Sequence, residues 1–254
     1  MKSTYLSITA LLMSFSSLLP ATELPKKYHQ CKKILTYNVF FHGAKIGTFE
    51  RQINWQNNNV NVYTYSNIDV LVTKSSLKQH SSYNWSAKKN SFISQSFDRD
   101  VKGLISGKFT AKFSDNASKS SVDSNGKIMT FSDDSMPLLD ADALASQMRL
   151  NVINGEKKFD FLLQDADEVN HYYFEVKGQE TINTNFGKLK AIRVEQTRKS
   201  DRKLFLWFAP ELDYQLVLGT YKRKILDLKT TLNSKKVVCP PVKVVSQPFI
   251  PQTQ

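Results

Sequence analysis

The chain has 254 residues, 41% of them apolar and 23% charged, with a formal net charge of +12. That is enough apolar sequence for one packed domain of ordinary size, and too much for a disordered chain. Two Cys, nine Gly and four scattered His argue against a zinc ribbon, a collagen-like repeat and a His-rich metal site.

In chain order, Met1-Lys2 supplies a positive charge, and Tyr5 to Leu19 is an apolar run without charge. Pro20-Ala21-Thr22 then offers a helix break and a small residue. This three-part pattern predicts a secretory leader, residues 1–21, cleaved after Ala21. The run is shorter than the roughly 20 residues of a membrane-spanning helix. An uncleaved anchor is the competing reading. No second long apolar run follows, so no transmembrane segment is expected after signal cleavage.

Residues 22–34 read as an N-terminal extension, 35–239 as a single β-rich domain, and 240–254 as a Pro-rich flexible tail. Export bears on Cys31 and Cys239, which open and close the exported chain. In an oxidising compartment two lone Cys usually pair. Closing so long a loop is worth roughly 5 kcal/mol in the chain-entropy account. The other reading is two free thiols in flexible ends. A catalytic thiol lacks a base partner, since His29 two residues before Cys31 is a weak signal.

Most of the domain alternates with the period of two expected of half-buried strands. Leu35, Tyr37, Val39 and Phe41 share one face; Phe49, Ile53 and Trp55 share the next. Asn57-Asn58-Asn59 predicts a turn, because Asn tolerates left-handed backbone angles. Further strands are expected at 60–71, 77–86, 91–98 and 104–113, followed by a polar, Ser-rich loop at 114–126. Asp140 then caps a helix at about 140–152, whose apolar stripe is Ala141, Leu144, Ala145, Met148 and Val152. Asn154-Gly155 ends it. The helix is expected to cover an open end of the sheet or to frame a ligand cavity. Strands resume at 158–164, 170–177, 188–197, 203–208, 214–220 and 223–232. The expected fold is mainly β: an antiparallel barrel, half-barrel or sandwich-like roll with one helix packed on it.

The order of several motifs carries a resemblance. Leu139-Asp140-Ala141-Asp142-Ala143-Leu144-Ala145-Ser146-Gln147-Met148-Arg149 precedes Phe174-Glu175-Val176-Lys177-Gly178-Gln179-Glu180-Thr181-Ile182 and Phe186-Gly187. Trp207-Phe208-Ala209-Pro210-Glu211 follows, and the stretch Tyr37 to Gly47 stands near the start. Together these motifs, spanning about residues 35–232, resemble a bacterial exported family catalogued as domain of unknown function 3108, and Tyr37 to Gly47 is similar to that family's opening hairpin. The resemblance implies a periplasmic, β-rich domain and supplies no catalytic residue.

The sequence holds no Gly-x-Ser-x-Gly elbow, His-Glu-x-x-His, P-loop or Rossmann fingerprint. Ser-x-x-Lys at Ser86, Ser124 and Ser200 falls in turns. The acidic groups at Asp98 and Asp100, Asp140 and Asp142, and Asp165, Asp167 and Glu168 read as helix-start and turn residues. No enzyme activity, metal or cofactor is expected.

Charge is concentrated late in the chain. Residues 188–236 hold thirteen Lys and Arg against five Asp and Glu. One reading is a solvated surface. The other is a basic rim, with Lys222, Arg223 and Lys224 as candidates, that attracts an anionic envelope lipid or glycan. Export argues against nucleic acid. Two roles are weighed: a binding module whose curved sheet holds an envelope lipid or glycan under the helix, and a structural or interaction component of the cell envelope.

Overall fold

The structure is a computed structural model that describes residues 23–70, 73–103 and 106–239. The expected leader and the Pro-rich tail lie outside the described residues. Eight strands form a first meander: β1 (Lys32–Phe41), β2 (Ala44–Gln56), β3 (Asn59–Val70), β4 (Thr73–Ser86), β5 (Ser91–Lys102), β6 (Gly107–Ser114), β7 (Lys119–Ser124) and β8 (Lys127–Ser132). After β9 (Leu138–Leu139) comes the helix α1 (Ala141–Ile153). A second meander follows: β10 (Lys158–Gln164), β11 (Val169–Thr184), β12 (Gly187–Thr197), β13 (Lys203–Ala209), β14 (Gln215–Arg223) and β15 (Leu226–Val238).

β1 pairs antiparallel with β15, so the meanders join into one 15-stranded sheet with β8 and β9 at its edges. β9 runs parallel to β10, which makes the sheet mixed. It curls into a nearly closed barrel. Ser120 Oγ on β7 donates to Gln164 Oε1 on β10 at 2.6 Å, tying the two halves near the sheet edges. The expected mainly-β fold is therefore present in its barrel form.

The alternation read from the sequence sets the inward faces. Leu35, Tyr37 and Val39 of β1 are buried, while Thr36 and Asn38 between them are half-buried. Asn57 turns with φ 56°, as its side chain allows. The register places the turns at two ends. One end carries the β1–β2 turn at His42-Gly43, the β12–β13 turn at 198–202 and the β14–β15 turn at Lys224-Ile225. The other carries the β2–β3 and β11–β12 turns and the bond between Cys31 and Cys239. That disulfide sits beside the outermost β1–β15 rung, Lys32 opposite Val238.

Three expectations change. Residues 22–34 were expected as an extension, yet β1 begins at Lys32 and Tyr28 is buried in the main core with Phe92 and Met148. The segment 114–126 was expected as a loop, yet it holds β7, and β8 follows. Ser120 and Val122 point inward on β7 while Lys119, Ser121 and Asp123 point out. An inward serine at the barrel's polar seam hides the alternation from a hydrophobicity reading. The third change concerns the helix. Asp140 caps it as expected, accepting from the N–H groups of Asp142 at 2.9 Å and Ala143 at 3.2 Å. However, of the expected stripe only Met148 and Val152 are buried, Ala141 is exposed and Leu144 and Ala145 are half-buried, whereas the polar Asp142, Gln147 and Asn151 are buried. The sheet receives much of the helix's polar side, because β4 and β5 offer it matching polar groups.

Candidate functional site

The partners of that polar face are specific. Asp142 accepts from Gln79 Nε2 at 2.7 Å and Ser81 Oγ at 2.9 Å on β4, and from Arg51 Nη2 at 2.5 Å on β2. Gln79 in turn accepts from Arg99 Nε at 2.8 Å, and Arg99 Nη1 donates to Asp165 at 2.6 Å. A polar chain thus crosses the interior from β2 to the β10–β11 turn. Ser146 Oγ and the Tyr83 hydroxyl share a 2.6 Å hydrogen bond, and Gln147 accepts from the Phe92 N–H at 2.9 Å. Ser94 Oγ donates to Asp140 Oδ2 at 2.7 Å. Burial, then the neighbouring Asp142 charge, pushes the Asp140 carboxyl up to about 6.

With its polar side held this way, α1 turns part of its apolar stripe to an elongated cavity of about 310 Å3. Leu144, Ala145 and Met148 form one wall. Leu204, Leu206 and Phe208 of β13, with Leu216 and Tyr221 of β14, form another. Leu163, Tyr172 and Phe174 close the side. Along β14 the lining extends from Gln215 to Tyr221, a rise of roughly 20 Å at strand spacing. Most of these apolar residues are only half-buried, unlike the neighbouring core.

Two guanidiniums, those of Arg51 and Arg149, also line the cavity, and each has its own carboxylate. Arg51 is held by Asp142. Arg149 donates through Nε to the Asp213 carbonyl at 2.9 Å and through Nη2 to its carboxylate at 2.6 Å, and it stacks over Tyr28 at 4.1 Å. Asp213 also faces Lys33 Nζ at 3.4 Å and His29 Nδ1 at 3.1 Å. Burial, followed by the charge of Arg149, lowers the Lys33 ammonium to about 8. Because both arginines are paired, the cavity interior is nearly neutral.

The residues expected to form a basic rim are not among the cavity lining. Lys222 pairs with Asp227 at 2.9 Å, and Arg223 reaches Asp201 at 2.9 Å. Lys224 sits at the hairpin tip with φ 51°. They follow directly after Tyr221, so they lie beyond one end of the cavity instead of along its wall. Sequence reading missed Arg51 and Arg149. Arg51 had a signal: it occupies an inward position between Phe49 and Ile53. The histidines are dispersed. His42 Nε2 lies 3.0 Å from the Ile225 carbonyl, His80 stacks on Tyr63, and His171 lies 2.6 Å from Asp160. Among the described residues no group of three or more His, Cys, Asp or Glu is placed to hold a metal ion. No helix among them is long and apolar enough to cross a membrane.

Comparison with known proteins agrees with this architecture. A beta-barrel-like protein of domain of unknown function DUF1849 from Brucella abortus, known from its crystal structure, superposes with a TM-score of 0.57. The identity is 11%, with 83% of this chain and 99% of that one covered, so the likeness is one of fold. No curated protein matches the sequence. Residues 36–232 match the family described as protein of unknown function DUF3108. By that match, which takes in most of β1 through most of β15 and every cavity-lining residue but Tyr28, the chain belongs to the DUF3108 family.

Proposed function

We propose that this chain is an exported, periplasmic, non-catalytic protein that holds a single acyl chain of an envelope lipid in the cavity beneath α1. One observation carries the reading: Leu144 and Ala145 of the helix's apolar stripe are left half-buried against a cavity, although Met148 and Val152 of the same stripe are buried in the core. Exposed apolar surface of this kind is a cost to the empty protein that an apolar occupant removes. The volume lies at the lower end of the range for small-ligand sites. An apolar, elongated wall favours a lipid tail over a glycan, whose hydroxyls would need partners that Leu204, Leu206 and Leu216 lack. Support for a non-catalytic role comes from the lining, which holds no carboxylate; Asp142 and Asp213, which pair with its two arginines, are each held by neighbouring donors.

Displacement of a fluorescent fatty acid from the purified protein tests this. Saturable binding is expected, and Leu206→Trp, which fills the cavity, should weaken it at least tenfold. Unchanged binding by a folded Leu206→Trp variant would remove the cavity as the site.

A further inference from the structure

The geometry points to a second surface: the β14–β15 hairpin tip docks the protein on an anionic lipid bilayer, with the end of the cavity against the membrane. This rests in part on the cavity reading, and deepens it by saying where the lipid is met. Ile225 is 80% exposed and Leu226 42% exposed, side by side at the tip. Such large apolar side chains on a turn have no core to serve. Lys222, Arg223 and Lys224 immediately precede them.

The adjoining β12–β13 turn adds to the charge. β13 and β14 pair with Lys203 opposite Lys222, so Arg198, Lys199, Arg202 and Lys203 come to the same end. Asp201 bridges the two turns, bound to Arg202 and Arg223. Seven basic side chains thus face two acidic ones, Asp201 and Asp227, across these turns. The β10–β11 turn at this end brings Asp165, Asp167 and Glu168, of which Asp165 is engaged by Arg99. An apolar tip ringed by cations matches the boundary between anionic headgroups and acyl chains.

Position links the tip to the cavity. Tyr221 and Leu204, paired across β13 and β14, belong to the cavity wall, and one residue further on are Lys222 and Lys203. A bilayer contacted by Ile225 and Leu226 therefore lies next to the cavity's end. A lipid tail could pass between the two with little exposure to water.

Flotation with vesicles of phosphatidylcholine alone, or containing phosphatidylglycerol, tests the inference. Binding is expected with phosphatidylglycerol, weak without it, and reduced by salt. Lys222→Gln with Lys224→Gln should weaken it about fivefold per charge. Ile225→Ser with Leu226→Ser should weaken it further. All variants keep the same chain ends, so the differences isolate the tip. Equal flotation of wild type and both variants, or no preference for the anionic vesicles, overturns docking. Leu206→Trp separates the two readings. If docking is right it floats like wild type even where fatty-acid binding is lost. Fatty-acid binding that survives in tip variants unable to float leaves the cavity reading standing.

Discussion

Arg51 of β2 and Asp142 of α1 meet inside the barrel, Nη2 to Oδ1 at 2.5 Å, ninety-one residues apart in the chain. The pair fixes the helix's rotation. With Asp142 drawn to Arg51, Gln79 and Ser81, the stripe containing Leu144 and Ala145 turns toward the cavity. Removing one partner leaves the other charged and buried.

Asp142→Ala should therefore destabilise the protein by about 3–5 kcal/mol, the range for breaking a buried pair. Urea unfolding measures it. A loss below about 1 kcal/mol, as for a surface ion pair, would contradict the interior role given to this contact.

Asp213 serves Arg149, Lys33 and His29 together. Asp213→Ala should cost more than Lys33→Met, because it strands two buried cations while Lys33→Met leaves Asp213 paired with Arg149. The Lys33 ammonium is lowered from 10.5 to about 8, so the unfolded chain binds its proton more tightly. Its contribution to stability therefore rises with pH between about 8 and about 10.5. Lys33→Met should flatten urea midpoints over that window. Parallel wild-type and variant profiles would count against it.

Asp140 has the opposite slope. Its carboxyl is raised from 3.8 to about 6, so the folded state holds the proton more tightly. Stability from this group is greatest below about pH 4 and falls as pH rises to about 6. Asp140→Asn keeps a capping oxygen and removes the titration. The variant should gain on wild type when midpoints are compared at about pH 4 and about pH 7. A constant difference between the two would refute the assignment.

The Cys31–Cys239 bond spans 208 residues of sequence. It holds together the termini whose strands, β1 and β15, join the two meanders. Cys31→Ser with Cys239→Ser should lower stability, up to about 5 kcal/mol in the chain-entropy account. Two free thiols, found by mass spectrometry in folded protein isolated without reductant, would contradict the bridge.

Much of the barrel was legible because its strands alternate and its turns use Asn and Gly. The helix was placed within one residue at each end because Asp140 and Gly155 mark its limits. Its orientation was legible only in part: Met148 and Val152 are buried as the stripe predicts, while Leu144 and Ala145 are not. A hydrophobic stripe normally marks the buried face, and here polar partners contributed by β4 and β5 compete for the helix. Those contacts join residues about sixty apart, as with Ser81 and Asp142, and no local pattern reports them. The same limit applies to Lys222, Arg223 and Lys224. Their clustering is visible in sequence, but their place beyond Tyr221 follows from the register of β13 with β14. β7 escaped notice because Val122 is its sole apolar residue.

Native mass spectrometry of the protein released gently from the producing cells, with lipid extraction of the same sample, tests the central claim most directly. The account predicts an added mass in stoichiometric amount, identified in the extract as an acyl lipid and lost in Leu206→Trp. A bare protein mass that stays bare after incubation with excess fatty acid would contradict it.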